Sequence, residues 1–575
     1  MIRLYRFLRP FSAAIAAILV LVLLQALSTL YLPTLTADIV DKGIVHKDIT
    51  YILQVGGVML LIAAGGTICS IAASFLSART AVGFGRIVRS QIFTRVERFS
   101  LHEFDHFGTA TLITRTTNDV TQVQTVTVII LRMMVSAPLM MIGGLIMALS
   151  QDRPLTLVLA VSVPVLMLAI VLILRRALPL FQLMQVKLDR VNLVLREGLT
   201  GIRVIRAFDR VDHEQRRFDE ANADLTHNAI QVNRIMAVMM PLLMLVMNLT
   251  SVAIIWFGAL RIDSGGMHVG SLIAFVQYAM QIMFAVIMVS MMFVMVPRAA
   301  ASANRINEVL DTAPDIADPA QVTRADGARG FVTLEHVTFR YPGAEQPALR
   351  DISFHARPGE VTAIIGGTGS GKSTLINLIP RFYDVDSGRI LVDGVDVREM
   401  AQADLRARIG FVPQKTALFT GTIADNIRYG KDDATEQEVA HAADIAQASE
   451  FISGMTDDFG SWIAQGGTNV SGGQKQRLSI ARALVRTPEI YLFDDSFSAL
   501  DFKTDARLRA ALKRETAAAT VLLVAQRVAT VMDADRIIVL DEGQMVGMGT
   551  HRELMATCTV YREIVASQLS EEEIA

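Results

Sequence analysis

Gly366-Gly-Thr-Gly-Ser-Gly-Lys-Ser373 is the stretch on which the fold turns. It follows a β-branched run, Val361-Thr-Ala-Ile-Ile365, and leads into an apolar segment that reads as a helix, Ser373 to Ile379. Strand, glycine-rich turn and helix N-terminus in that order form a phosphate-binding loop. Successive backbone N–H groups of such a turn face an anion, and the helix N-terminus favours negative charge. Gly366, Gly367, Thr368, Gly369, Ser370, Gly371, Lys372, Ser373 and Thr374 are therefore predicted to cradle nucleotide phosphates. Lys372 would reach the phosphates and the Ser373 hydroxyl would bind Mg²⁺.

Towards the C-terminus, Ile490-Tyr-Leu-Phe-Asp494 is an apolar run ending in an acid. A buried strand of this kind delivers a carboxylate to the metal beside a phosphate loop. Further strand-like runs, Thr520–Val524 and Arg536–Leu540, alternate with helical stretches from Phe331 onwards. That alternation predicts a mainly parallel α/β domain.

Towards the N-terminus the character changes. The chain of 575 residues is 52% hydrophobic and 19% charged, and the apolar residues concentrate before residue 300. Apolar runs of spanning length fall near 11–32, 52–77, 126–149, 155–174, 236–260 and 270–296. The first has no small-residue cleavage site after it, so it reads as a retained membrane helix and not as a signal peptide. Two long segments, about 78–125 and 175–235, hold six and eleven Lys/Arg, against one or two in each short connection. The positive-inside rule predicts a multi-pass protein of the inner (cytoplasmic) membrane with both termini and both long segments in the cytoplasm. Thr94–Phe99 and Glu214–Ala223 carry apolar residues at helical spacing, which predicts helices that continue out of the membrane. Residues 301–330 are polar, contain Pro314 and Pro319, and read as a linker. The expected organisation is a six-helix all-α transmembrane domain with long cytoplasmic extensions at 1–300, a linker at 301–330 and an α/β cassette at 331–575. A formal charge of −2 gives no sign of nucleic acid as a partner, and Cys69 and Cys558 are too few for a disulfide framework.

Between the two phosphate-site elements stands Val470-Ser-Gly-Gly-Gln474, followed by Lys475-Gln-Arg-Leu-Ser-Ile-Ala-Arg-Ala483. This resembles the signature of ATP-binding cassette (ABC) proteins. The whole chain resembles a half-transporter of the multidrug and lipid exporter type (type IV fold), six helices followed by one cassette. Phe104–Gly108 to Thr117–Asp119 resembles the first cytoplasmic coupling segment of that family, and Glu197–Phe208 the second. The resemblance implies that Tyr341 stacks on adenine. It implies that Gln414 senses the γ-phosphate and joins Ser373 and Asp494 around Mg²⁺. It further implies that Ser498 to Asp501 crosses to a partner cassette, and that Ser471, Gly472, Gly473 and Gln474 complete the ATP site of that partner. A single cassette cannot complete a site, so the resemblance implies a dimer.

Three departures qualify the match. Where the family has a catalytic Glu, this chain has Asp495, one methylene shorter. A carboxylate withdrawn by about 1.5 Å is a serious defect, since misplacement by about 1 Å costs of order 10²-fold in rate. Where the family has a switch histidine, this chain has Gln526, which can donate a hydrogen bond but cannot relay a proton at neutral pH. Before the signature, a charged segment is replaced by Ala464-Gln-Gly-Gly467. An intact phosphate loop and signature with a degenerate catalytic pair predict the slow half of a heterodimer. The second half-transporter would bring the Glu and His. Methionines in the last two spans (236, 239, 240, 244, 247, 280, 283, 288, 291, 292 and 295) suit an adaptable apolar surface or plain packing. Export of hydrophobic or amphipathic compounds, drugs or lipids, is the expectation. Import of a lipid or siderophore on the same fold, or an ATP-gated regulatory subunit that pumps nothing, are its rivals.

Overall fold

The computed structural model describes Met1, residues 3–325, Gly327 and residues 329–569, apart from the side chains at 291, 293 and 294. Met291, one of the methionines singled out above, thus lies outside the described side chains. The chain forms two compact units, one of Met1–Glu97 with Ala110–Thr312, the other of Arg98–Thr109 with the residues from Ala313 onward.

The first unit is helical: α1 (Ser12–Asp38), α2 (Ile49–Val96), then, after α3 (Leu101–Phe107) of the other unit, α4 (Thr109–Thr114), α5 (Val120–Gln151), α6 (Thr156–Thr200), α7 (Ile202–Ala207), α8 (Val211–Asp263) and α9 (Val269–Asp311). Among the described residues, six stretches are long and apolar enough to cross a membrane. At 1.5 Å per residue the 48 residues of α2 and the 53 of α8 reach about 70 and 80 Å, more than twice a ~30 Å hydrocarbon core. The helices therefore continue well beyond a bilayer, as the charged amphipathic segments predict.

Packing inside the unit pairs α5 with α9, α6 with α8 and α1 with α2. Small residues permit the closest approaches: a Cβ on Gly143 would stand 2.4 Å from Leu30, and one on Gly144 2.8 Å from Ile282. Several polar groups in this apolar setting are satisfied internally. The Tyr278 hydroxyl donates to the Leu30 carbonyl at 2.9 Å and meets Thr34 at 2.7 Å; the Gly270 N–H donates to Asp41 at 2.7 Å. A π-helical turn, Arg115–Asp119, buries the Asp119 carboxylate completely, where it accepts from Ser302 at 2.9 Å and from Arg305 Nε at 2.8 Å. Met247 and Met283 are buried between α6, α8 and α9, whereas Met240 and Met244 are exposed.

Two expectations are corrected. Helix α9 runs to Asp311, through the first third of the supposed linker, because Ala299, Ala303, Ile306 and Leu310 recur at helical spacing and are buried. The apolar spacing across Thr94–Phe99 does not mark one helix: α2 stops at Val96, and Phe99 turns away to stack on Phe107 at 5.7 Å and meet Phe104 edge-on at 6.4 Å.

The second unit holds the α/β cassette. Four strands, β1 (Val332–Phe339), β2 (Leu349–Ala356), β4 (Ser387–Val392) and β5 (Val395–Asp396), form an antiparallel sheet ordered β2-β1-β4-β5. The larger sheet is built from β3 (Val361–Gly366), β6 (Ile409–Val412), β9 (Ile490–Asp494), β10 (Thr520–Val524), β11 (Arg536–Asp541) and β12 (Gln544–Gly549), in the order β12-β11-β3-β10-β9-β6. All its pairs are parallel except β11 with β12. Its four central strands are apolar and buried on both faces, which is why they read as continuous hydrophobic runs. A short pair, β7 (Gly421–Thr422) and β8 (Trp462–Ile463), completes the strands. The segment α3 packs in this unit, its Glu103 accepting from the Asp315 N–H at 3.0 Å while it also closes the capping box on Ser100.

Candidate functional site

The site is assembled by strand register. Val524 of β10 stands opposite both Ile364 of β3 and Asp494 of β9, and Val412 of β6 opposite Phe493. The chain therefore leaves four neighbouring strands on the same edge: Gly366 from β3, Gln526 two residues after β10, Asp494 and Asp495 at the end of β9, Gln414 two residues after β6. In parallel sheets ligands bind outside these carboxyl ends.

The phosphate loop runs into α10 (Lys372–Leu378), a helix that begins one residue earlier than the sequence suggested. Gly369 and Gly371 have φ of +82° and +97°, which L side chains rarely adopt. A Cβ on Gly366 would stand 2.1 Å from the Leu540 carbonyl, whereas on Gly367 and Gly369 it would meet nothing within 4 Å. The loop is thus packed behind and open in front. Lys372 is 8% exposed, and its ammonium donates to the carbonyls of Gly366 at 2.9 Å and Gly367 at 2.6 Å. Burial lowers its pKa from the usual lysine value, against the pull of Asp495 and Asp494. A buried cation held by neutral oxygens is matched to an anion, so these residues fit a nucleotide phosphate. The Ser373 hydroxyl donates to Asp494 at 2.9 Å, which brings two hard oxygen donors together at the loop, the set Mg²⁺ takes. Burial pushes the Asp494 carboxyl above the usual carboxylate range; the Ser373 bond opposes this and Asp495 adds to it. Tyr341 lies at the same loop: its hydroxyl meets Thr374 at 3.0 Å, and its ring packs edge-on to Phe339 and Tyr383.

Asp495 sits at φ +46°, 8% exposed, its N–H donating to the Val524 carbonyl at 3.0 Å. Its Oδ2 accepts from two amides, Gln526 Nε2 at 2.9 Å and Gln414 Nε2 at 3.2 Å. The three residues form one cluster, which sequence spacing alone does not show.

The signature lies elsewhere in the cassette. Ser471 caps the helix Gly472–Leu484 through a reciprocal pair with Gln474, at 3.3 and 2.8 Å. A Cβ on Gly473 would stand 3.0 Å from the Ala499 carbonyl, and the Gln476 side chain accepts from the Ala499 N–H at 3.2 Å. Ser498 donates to the Asp495 carbonyl at 3.0 Å and its own carbonyl accepts from Arg527 at 3.2 Å. Asp501 caps the helix Phe502–Glu515 by accepting from Thr504 N. The loop Ser498–Asp501 thus joins the acidic cluster to the signature. Among the described residues, no hydrogen bond joins Ser471–Gln474 to the phosphate loop. The bond between Gln476 and the Ala499 N–H and the contact of Arg527 with Ser498 escaped the sequence reading, because each joins residues more than twenty positions apart. The altered segment Ala464–Gly467 is a tight turn with φ +66° and +67° at its glycines, held by Lys475 donating to the Gly466 carbonyl at 2.9 Å.

Comparison with known proteins agrees with this geometry. Residues 15–286 match the family model of the ABC transporter transmembrane region and residues 349–498 that of the ABC transporter. An uncharacterized ABC transporter ATP-binding protein of Mycobacterium tuberculosis is 47% identical across 98% of this chain and 97% of its own length. A fatty acid ABC transporter ATP-binding/permease protein of the same species is 34% identical across 83% of this chain and 75% of its own. Among solved structures, a bacterial Atm1-family ABC exporter with ATP bound superposes with a TM-score of 0.82 at 26% identity, covering 97% of this chain and 98% of that one. A domain of this kind implies use of ATP and ATPase activity. With six membrane-length helices ahead of a nucleotide-binding cassette and relatives matched end to end, this chain belongs to the ABC transporter family as a multi-pass membrane protein.

Proposed function

We propose that this chain is the degenerate-site half of a heterodimeric exporter that moves hydrophobic or amphipathic compounds, lipids foremost, across the cytoplasmic membrane. The observation that carries the reading is the Asp495 carboxylate tied to Gln526 at 2.9 Å and Gln414 at 3.2 Å. A general base must lie within hydrogen-bond reach of the water it activates. Here the shortened carboxylate is engaged by two amide donors, neither of which takes up a proton at neutral pH. The phosphate loop residues and Tyr341 hold ATP, Ser373, Asp494 and Gln414 hold Mg²⁺, and hydrolysis at this site is slow. The bound metal would neutralise charge on the phosphates; Lys372 would orient them. Ser471–Gln474, capped and free of the chain's own loop, serve the ATP of the partner, whose Glu and His carry out turnover. Ser498–Asp501 link the two sites. The apolar residues of α7 and its flank, Val204 and Phe208, are 61% and 73% exposed and offer a face for a second subunit. Lipid as substrate class draws support from the fatty acid transporter relative and from the apolar helix surfaces. The distribution of Lys and Arg supports a cytoplasmic location for both termini and the cassette.

Purified alone, the chain should bind ATP but release phosphate slowly, and co-expression with a half-transporter bearing Glu and His should restore turnover and vesicle transport. Brisk hydrolysis by the chain alone, abolished by Asp495→Asn, would overturn the heterodimer reading.

A further inference from the structure

Helices α6 and α8 enclose an apolar groove at each of two places along their length, and the two differ in charge. Near the connection at residues 152–155 a groove of about 570 Å³ is lined by Leu157, Val161 and Phe257, among others, with Arg261 at its rim. That guanidinium is neutralised: it donates to Asp152 at 3.0 and 3.2 Å, and the Asp152 side chain is only 3% exposed. At the other place a groove of about 560 Å³ is lined by Val165, Leu168, Leu172 and Val238, with Arg176 and Arg234 at its end. Both arginines are exposed, and among the described residues neither has an ion pair or hydrogen bond. Two aliphatic walls end in two uncompensated cations.

The dimensions suit one molecule class. From Val165 to Arg176 the helix rises about 17 Å, close to the thickness of one leaflet of a ~30 Å hydrocarbon core. Arginine binds phosphate through a planar fork of donors, and basic pockets between membrane helices hold anionic lipid headgroups. A single arginine that merely snorkels to the interface would require neither a shaped groove nor a second cation. The geometry points to a binding site for an anionic phospholipid of the leaflet next to Arg176 and Arg234, its acyl chain in the α6–α8 groove and its phosphate between the two guanidinium groups. The neutralised groove at the other end takes no such preference. This site stands apart from the nucleotide site and does not depend on which compound is exported.

The full-length protein, delipidated in neutral detergent, can be titrated with phosphatidylglycerol or phosphatidylcholine of matched chains and observed by native mass spectrometry. The wild type should retain phosphatidylglycerol preferentially. Each arginine near a membrane surface contributes roughly fivefold in affinity for anionic lipid, so R176Q/R234Q should lower phosphatidylglycerol affinity about thirtyfold and leave phosphatidylcholine unchanged. R175Q removes the same single charge as R176Q, from a neighbouring position that does not line the groove, and should have little effect where R176Q alone lowers affinity about fivefold. L168W, on an exposed wall position, should weaken phosphatidylglycerol binding without altering charge. Equal losses in R175Q and R176Q would reveal a diffuse basic surface and overturn the site, as would equal affinity of the wild type for the two lipids.

Discussion

The side-chain amide of Gln526 donates to the carboxylate of Asp495 over 2.9 Å, joining two residues read above as replacing a catalytic Glu and a switch histidine. On the reading proposed above, the base position and the switch position hold one bonded pair. Restoring only one member leaves the other mismatched. Asp495→Glu or Gln526→His alone should raise phosphate release by the purified chain only modestly, while the double variant should raise it by about 10²-fold, the cost of a misplaced catalytic group. Steady-state phosphate release at saturating Mg-ATP checks this. Additive small effects would argue that the slow step lies outside the pair.

Ser471 is both a helix cap and a proposed contact to the partner's ATP, and the two roles separate by substitution. Asp at an N-cap holds the helix as well as Ser does, whereas Ala costs about 1 kcal/mol. Ser471→Asp should leave thermal stability unchanged yet abolish turnover by the co-expressed pair, because it sets a carboxylate against phosphate. Nucleotide binding at this chain's own Lys372 should persist, measured with a fluorescent ATP analogue.

Asp119 is buried without exposed side-chain surface and depends on Arg305 and Ser302. Removing one partner of a buried pair costs about 3–5 kcal/mol. Arg305→Leu should destabilise by about 3 kcal/mol, the low end, since the Arg305 side chain is itself 48% exposed. Thermal unfolding in detergent measures it, and Asp119→Asn added to Arg305→Leu should recover part of the loss.

Glu438 has its pKa lowered to about 2, first by Lys431, whose ammonium donates to it at 2.5 Å, and then by the backbone and hydroxyl of Thr435. A depressed carboxylate stabilises the fold fully above its ordinary value near 4.5 and loses that contribution as pH falls towards about 2. The melting-temperature difference between wild type and Glu438→Gln should hold steady above pH 4.5 and vanish by about pH 2. A difference that grows on acidification would contradict the sign.

Chain chemistry alone determined the membrane helices, the phosphate loop, the acid-terminated strand and the signature, because each is local. Twenty apolar residues in a row have one stable environment, and a glycine turn between strand and helix has one set of free N–H groups. Asp495 and Gln526, on which the heterodimer proposal rests, were also visible as letters. Other features required residues far apart in the chain to meet. Parallel register of β3, β10, β9 and β6 brought Gln414, Asp495 and Gln526 to one sheet edge, although they are up to 112 positions apart (526 − 414 = 112). The turn at Phe99 was hidden because stacking on Phe107 uses the same apolar letter as an amphipathic helix face. Arg176 and Arg234 read individually as ordinary positive-inside residues; only the pairing of α6 with α8 set them at the end of one groove. Neighbouring residues determined which local elements could form, since short-range sterics and hydrophobic length are written in them. The tertiary structure decided which of their side chains face each other, since that depends on strand order and helix packing that no single segment contains.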